Sequence, residues 1–417
     1  VVLTSTPSTQ AAVFTDSVGV ATHLSYTDTL YYTDFPAIAQ SLQTLGVHHI
    51  RDGYYPWAAN SPIVAAHRQL ASMGIKTTYV VPYQPTTSYS QLLTLFQQIV
   101  QFSSMVGDME AVEPPNECDV SGSCGSGNTA VNNVVNFLPA IYDSGYTLRI
   151  PYLGPSFALP GSYSTPGNIH SKMTINNLHL YFGGRNPGSA GWGDFDPQGN
   201  SYGSFDYWLD QAAIDGPNLQ SEITETGYLT SPSTDTPYTV PESVEASYTP
   251  RTLLLAFKHG VKRTFLYELL DEVSSPGYGL LRADMSPRPA FTAVENLIAT
   301  LDDTSTAFTP APLSYAVTGA DASLNQVLLE KHDGSYWLVL WLEKSSWNAD
   351  TAQPIAVAPQ QVTLTLNSGY TASVLHQFNT QGTVVTSNLA TTTNSSAKTH
   401  TMTFPVSDQI SVVQIIR

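Results

Sequence analysis

The sequence predicts a (β/α)8 barrel followed by an all-β sandwich, and three observations carry that prediction. Short β-like runs alternate with helical patterns from residue 18 to residue 300. Near residue 302 the texture changes to alternating strands separated by Asn, Gly, Ser and Thr turns. Two of the earlier β-like runs lead into glutamates, Glu117 and Glu225, which lie 108 residues apart. A strand-helix unit takes about 31 residues in a barrel of roughly 250, so three units with modest loop insertions cover that gap. The two glutamates then follow the fourth and seventh strands and share the C-terminal mouth. The expected boundaries are 12–301 for the barrel and 302–417 for the sandwich, with a strand from 1–11 joining the latter.

Taken in order, the barrel strands are Val18–His23, Val47–Arg51, Ile75–Val81, Met109–Glu113, Leu148–Leu153, Ile175–Tyr181, Leu219–Thr224 and Arg263–Tyr267. Each is a short apolar or β-branched run bounded by turn residues. Between the third and fourth, Ser88 caps a stretch in which Leu92, Leu93, Phe96, Ile99 and Val100 recur at helical spacing, and Gly107 stops it. Pro62–Met73, Thr129–Tyr142, Ser243–His259 and Pro289–Leu301 read as helices on the same grounds. In the C-terminal part, Ser335–Trp341, Gln361–Leu366 and Ile410–Ile416 read as sandwich strands. The joint Asp302–Thr306 is short and polar, which implies a docked domain and not a free tether. Thr391–Ser396 is a polar turn region containing one glycosylation sequon at Asn394.

Composition removes several function classes. The formal charge is −17, from 16 basic and 33 acidic side chains, and only 12% of residues are charged. No basic stripe is available for a phosphate backbone or an anionic membrane surface, so nucleic acid is excluded as a partner. A polyanionic substrate is disfavoured for the same reason. No apolar run reaches the 18 residues that would suggest a membrane span. The N-terminal residues lack a signal-peptide pattern and read as those of a trimmed, secreted chain. A monomer is the default expectation.

Two carboxylates facing one another can break a glycosidic bond. One, protonated, gives its proton to the leaving oxygen, and the other, ionised, attacks or stabilises the developing oxocarbenium carbon. Glu117 follows Pro114-Pro115 in a largely uncharged loop, where burial and the charge of Glu225 should raise its pKa. Glu113 and Glu222 compete for these roles, or serve as inward-facing barrel charges. Glu268 and Asp271, at the end of the eighth strand beside Tyr267, are rim salt bridges or sugar contacts. His179 and Tyr181 share a strand face and suit a sugar-binding wall, His23 less so, whereas His48 and His49 read as structural. Tyr54, Tyr55, Trp57, Tyr83, Phe157, Trp192 and Tyr228 lie near strand ends, where some stack on sugar and the rest pack. Cys118 and Cys124 bracket a short polar loop beside Glu117, giving either a disulfide that shapes the loop or two free thiols. No zinc spacing and no His-x-His on the first strand occur, so neither metal nor other cofactor is expected. Gly154-Pro-Ser156 mimics a nucleophile elbow, but Leu-Pro-Gly follows it where a helix is required.

Taken together, Asn116-Glu117, Thr224-Glu225-Thr-Gly227, Ile50-Arg51-Asp-Gly53, His179-Leu-Tyr181 and Arg288-Pro-Ala-Phe291 resemble the retaining glycoside hydrolases of clan A, most nearly the branch around family thirty-nine. The resemblance implies Glu117 as acid/base and Glu225 as nucleophile. It further implies that Asn116 binds the sugar 2-hydroxyl, and that Arg51 and Tyr181 orient Glu225 and keep it ionised. Many clan members carry Trp at the end of the eighth strand, where this chain has Tyr267-Glu268. The expected substrate-binding set is thus Asn116, Arg51, His179, Tyr181, Tyr267, Glu268, Trp57 and Tyr228. The function expected is double displacement on a neutral, β-linked oligo- or polysaccharide. The alternative is a non-catalytic carbohydrate-binding or cell-surface protein on the same fold. A metal-dependent barrel hydrolase, betrayed by sensitivity to chelator, ranks last.

Overall fold

The computed structural model describes residues 1–82, 89–136, 150–192, 203–231, 238–272 and 276–417. The expected cap Ser88, Tyr83, the residues Leu148 and Arg149 of the fifth strand and the end of the helix at Tyr142 lie outside them. Two short strands come first, β1 (Thr4–Thr6) and β2 (Thr9–Gln10). The barrel strands follow as β3 (Val18–Ala21), β4 (His49–Gly53), β5 (Lys76–Val80), β6 (Met109–Glu113), β7 (Asn176–His179), β8 (Ser221–Thr226) and β9 (Arg263–Leu266). They form one parallel sheet in the order β6-β5-β4-β3-β9-β8-β7. The remaining gap is spanned at Tyr152 and Leu153, which bridge in parallel to Val112 and Ile175. Four backbone hydrogen bonds of 2.8–3.0 Å support these bridges. Among the described residues, the expected fifth strand is represented by this two-residue stave, which bridges β6 to β7.

The helices are α1 (Ala11–Asp16), α2 (Leu30–Thr33), α3 (Phe35–Leu45), α4 (Pro62–Ser72), α5 (Tyr89–Val106), α6 (Gly127–Val135), α7 (Phe205–Asp215), α8 (Glu242–Lys258) and α9 (Pro289–Leu301). Their ends follow local chemistry. Ser61 accepts the Val64 amide at 3.2 Å ahead of Pro62, which fits the first helical position because it has no N–H to leave unsatisfied. Gly46 ends α3 at φ 80°, a left-handed turn that glycine adopts without a Cβ clash. No helix among the described residues is long and apolar enough to cross a membrane.

After α9 the strands are β10 (Leu313–Thr318), β11 (Leu324–Glu330), β12 (Tyr336–Leu342), β13 (Trp347–Asn348), β14 (Gln353–Pro354), β15 (Gln360–Asn367), β16 (Thr371–Phe378), β17 (Val384–Asn388), β18 (Thr392–Asn394), β19 (Thr399–Val406) and β20 (Ser411–Ile416). One sheet runs β1-β10-β15-β19-β18 and the other β17-β16-β20-β12-β11-β2. Leu338, Leu340, Leu364, Phe404 and Val413 fill the core between them. The second sheet has two buried faces, because Trp337, Val339 and Trp341 on the reverse side of β12 belong to the barrel's own core. This explains why Tyr336–Leu342 is an unbroken apolar run, since a strand covered on both faces has no polar side to present.

β-bulges set which glutamates face the barrel interior. Strict alternation would turn residues three apart to opposite faces. In β6 the register slips by one residue, Thr77 pairing with Met109 and Thr78 with Ala111. In β8 it slips between Ile223 and Thr226. Each bulge inserts one residue, so Glu110 and Glu113 on β6, like Glu222 and Glu225 on β8, each place one carboxylate low and one high in the barrel. The low pair joins His49, Asp16, Lys262 and Arg263 in an ion network: His49 meets Asp16 and Glu110 at 2.8 Å each, Arg263 meets Glu110 at 3.1 Å, and Lys262 meets Glu222 at 3.0 Å. His49 and Glu222 are thereby structural.

Candidate active site

At the upper end of the barrel, Arg51 on β4 is the hub. Its Nε and one Nη donate to the two oxygens of Glu113 at 2.7 and 2.9 Å, and its other Nη donates to Glu225 Oε1 at 2.7 Å. The Nη that meets Glu113 also donates to Asn116 Oδ1 at 2.6 Å. Glu113 is fully buried and accepts a further bond from Thr224 Oγ1 at 3.3 Å. Burial alone would raise its pKa, but the Arg51 charge and a His179 hydrogen bond outweigh that and hold it well below the usual carboxylate range. Glu113 is consequently a fixed anion that positions Arg51.

Glu225 is gripped from its other side by the Tyr181 hydroxyl, which donates to Oε2 at 2.9 Å. Burial and the neighbouring Glu225 charge push the Tyr181 phenol well above its ordinary value, so it stays a donor. His179 is buried beneath both glutamates. Its Nδ1 lies 2.8 Å from Glu117 Oε1 and 3.6 Å from Glu225 Oε2, and its Nε2 lies 3.5 Å from Glu113. Burial would lower its pKa, but the charge of Glu225 and the bonds to Glu113 and Glu117 raise it to about 10. The same contact corrects the expectation for Glu117. Burial does press its pKa upward, yet the hydrogen bond from His179 prevails and the free carboxyl is lowered.

Glu117 adopts a left-handed backbone conformation, φ 44°, which costs a residue with a Cβ about 1–2 kcal/mol. The loop around it supplies compensating bonds. The Val120 and Ser121 amides donate to the Glu117 carbonyl at 3.0 and 2.9 Å. Cys118 and Cys124 form a disulfide with Cα atoms 5.3 Å apart. Asp119 accepts the Ala158 and Leu159 amides and the Ser162 hydroxyl at 2.9–3.1 Å, which pins the loop that carries the false elbow against the loop that carries Glu117.

One carboxylate oxygen of Glu117, one of Glu225 and a His179 nitrogen all lie within 4.8 Å of one another. A cavity of about 410 Å³ opens over this constellation, lined by Arg51, Asn116, Glu225, Tyr267, His23, Tyr26 and Tyr55 among others. Seven predicted residues, Arg51, Asn116, Glu117, His179, Tyr181, Glu225 and Tyr267, thus meet here. Glu268 is buried one residue beyond the cavity wall, 3.2 Å from His23, and burial raises its pKa to about 7. Trp57 stands behind Tyr55, ring centroids 5.7 Å apart, and it is Tyr55 that faces the cavity. Tyr228 departs from the expectation: its ring packs beside Tyr248 in the core and its hydroxyl donates to the Arg185 carbonyl at 3.0 Å, so nothing remains for a sugar. Asp271 is a structural acid, paired with Arg288 at 2.5 Å and accepting the Gly277 and Gly279 amides.

Sequence reasoning missed Tyr26, Asp52 and Thr22. Tyr26 lies in an aperiodic loop and gives no pattern. Asp52 was visible beside Arg51, and it holds that loop by accepting the Thr22 hydroxyl at 2.7 Å and the Leu24 amide at 3.0 Å.

No family model matches the chain, and none of the curated proteins does. Solved structures do resemble it in fold. An FMN-binding β-glucuronidase from Facaelibacterium prausnitzii L2-6 aligns over 97% of this chain and 58% of its own, at TM-score 0.50 and 13% identity. An endo-β-1,3-glucanase of glycoside hydrolase family 128 from Amycolatopsis mediterranei, in complex with laminarihexaose, covers 67% of this chain and 99% of its own, at TM-score 0.43 and 16% identity. A β-1,3-glucanosyltransferase from Rhizomucor miehei, in complex with laminaritriose, covers 66% and 96%, at TM-score 0.45 and 11% identity.

Proposed function

We propose that the protein is a secreted retaining glycoside hydrolase that cleaves a neutral, β-linked glucan by double displacement. The approach of Glu117 and Glu225 to within 4.8 Å is the observation that carries this reading. Retaining enzymes hold their carboxyl groups about 5–5.5 Å apart, whereas inverting ones leave about 6.5–9.5 Å for a water. Glu225, with donors on both oxygens, is the nucleophile and forms the glycosyl-enzyme bond. Glu117 protonates the leaving oxygen and then takes a proton from the attacking water. Its acidic proton is held jointly with His179 across the 2.8 Å contact, so the pair titrates as a unit. A leaving oxygen arriving at Glu117 draws that proton onto the carboxyl. Among the described residues, the only cationic side chain lining the cavity besides His23 is Arg51, already bound to three partners, which favours a neutral sugar over a uronate.

The motifs lean toward the branch around family thirty-nine, while the solved neighbours include members of families 17 and 128 and a glucuronidase. We therefore hold the reading at the level of the clan. The test is product analysis on laminari-oligosaccharides, other β-glucans, aryl β-glucosides and an aryl β-glucuronide, with the anomer of the first product read by NMR. Wild type should release β-anomer from a neutral substrate, and Glu225→Gln should release none. Glu117→Gln should lose roughly 10²–10⁴-fold on natural glucans while retaining activity on activated aryl glycosides. Full activity in Glu225→Gln would overturn the assignment. Saccharide binding by wild type without any release would establish the binding-protein alternative.

A further inference from the structure

Beside the glutamate pair stands a second cluster that the hydrolytic mechanism does not use. His23 follows β3, while Glu268 and Glu272 follow β9, so more than half the chain separates the histidine from the acids and no sequence motif could join them. His23 Nε2 lies 3.2 Å from Glu268 Oε2 and 3.6 Å from Glu272 Oε1. One donor atom from each of the three residues falls within 4.8 Å of the others.

Both contacts are close ion pairs, yet neither has the alignment of a hydrogen bond. His23 Nε2 and Glu272 Oε1 are both buried atoms, and among the described residues neither has an aligned hydrogen-bond partner. Buried polar atoms without partners are uncommon, and each calls for a physical reason. An imidazole nitrogen near two carboxylate oxygens but off the hydrogen-bond direction is the arrangement of donors converging on a common centre. Zinc–nitrogen and zinc–oxygen bonds of about 2.0–2.2 Å at tetrahedral angles place neighbouring donor atoms about 3.3–3.5 Å apart. The two contacts at His23 bracket that value.

The surroundings fix the ligands and leave one side open. The His23 ring is stacked on Tyr26, centroids 4.5 Å apart, and flanked edge-on by Tyr31 and Tyr267. Tyr31 reaches toward Glu268 Oε2, at 3.5 Å, and exchanges bonds with the Leu270 backbone, amide and carbonyl, at 2.9 and 3.2 Å, which orients the strand end bearing Glu268. His23 lines the catalytic cavity, whereas Glu272 lines an adjoining cavity of about 710 Å³, and Ser25 and Tyr26 belong to both. The cluster therefore sits on the partition between two adjoining cavities. That gives an ion a route in and leaves a coordination position for water or a sugar hydroxyl.

We propose that His23, Glu268 and Glu272 form a binding site for one divalent transition-metal cation, with zinc as the best match to a nitrogen-and-two-oxygen donor set. The site is distinct from Glu117, His179 and Glu225, whose donor atoms also converge and which provide the internal control. The test is calorimetric titration of chelator-stripped protein with zinc chloride, alongside the absorption spectrum of the cobalt-loaded form and thermal melts with and without zinc. Expected are one site per chain, a zinc-dependent rise in melting temperature and a cobalt spectrum of low coordination number. His23→Gln and Glu272→Gln should weaken zinc at least about 10-fold and abolish the thermal shift, while their metal-free melts report whether each variant folds. Glu225→Gln should bind zinc as wild type does. No zinc binding by wild type, or binding that survives Glu272→Gln and disappears in Glu225→Gln, would overturn the proposal.

Discussion

Arg51 concentrates the residue-scale chemistry, because it neutralises two buried glutamates with a single planar fork. Replacing it with methionine strands Glu113 in the core. Breaking a buried pair of this kind costs about 3–5 kcal/mol, so Arg51→Met should shift the urea midpoint downward and abolish turnover together. Arg51→Lys should keep more stability than activity, since one ammonium cannot meet Glu113 and Glu225 in the same geometry. His179 makes a pH prediction. Its pKa is raised from 6.5 to about 10, so the stability from its pairing is complete below 6.5 and fades as pH climbs through about 10. Glu117 is lowered from 4.5, so its share is present above 4.5 and lost as pH falls through its depressed value. The joint proton consequently survives well into alkaline solution. In His179→Gln the basic limb of the kcat/KM profile on an aryl glycoside should move to lower pH, and an unmoved limb would show that Glu117 titrates alone. Of these residues, Glu117, Glu225, Arg51 and Tyr181 were legible in motifs at strand ends. For Glu113 the sequence left two readings open, a catalytic carboxylate or an inward-facing barrel charge, because a carboxylate three residues before a turn looks the same whether it faces substrate or guanidinium.

At the scale of elements, two bulges and one disulfide decide where the carboxylates point. Strand positions were readable from β-branched runs, but a bulge changes register without changing composition, so the sequence left open whether Glu222 faces inward together with Glu225. The Cys118–Cys124 ring is small, and in the chain-entropy model it contributes about 2 kcal/mol. Its larger effect is on the left-handed Glu117 beside it. The double variant Cys118→Ser/Cys124→Ser should lose kcat more on glucans than on activated aryl glycosides, because only the former need a well-aimed acid. Equal losses on both would show that the ring serves stability alone. Helix α7 ends in Asp215, whose two carboxylate oxygens are buried without a hydrogen-bond partner among the described residues, and burial raises its pKa to about 8. A raised acid destabilises the fold progressively as pH rises from 3.8 to about 8, since the folded form retains a proton that the unfolded form releases. Asp215→Asn should therefore gain stability relative to wild type as pH increases across that window, measured by denaturant melts at several pH values.

Across the whole molecule, the barrel and the C-terminal domain share a buried polar clamp. Glu343, just after β12, accepts from Nε and one Nη of Arg251 on α8, from Asn186 at 2.7 Å, from the Gly188 amide at 3.1 Å and from Trp341 Nε1 at 2.7 Å. Arg251 is itself wholly buried. Glu343→Gln should lower the melting temperature and, by loosening the domain contact, split one unfolding transition into two in calorimetry; a single, unshifted transition would show that apolar packing alone couples the domains. The two-part architecture was visible in the change of texture near residue 302. The clamp was not, because it joins α8, the loop after β7 and β12, and long-range ion pairs leave no local periodicity.

The pairing of β1 with β10 and of β2 with β11 has a consequence for biogenesis. Ser5 lies opposite Ser314, and Thr9 opposite Leu329, so these two strands leave the ribosome about 300 residues ahead of their partners. At roughly 5–20 residues per second that is a delay on the order of 15–60 s. The barrel lies between the two halves of this appointment and can close during synthesis, while the leading segment trails as an unpaired edge. The two C-terminal sheets are thus completed only once β10 and β11 have been made, and until then β1 and β2 are the strands most in need of a chaperone.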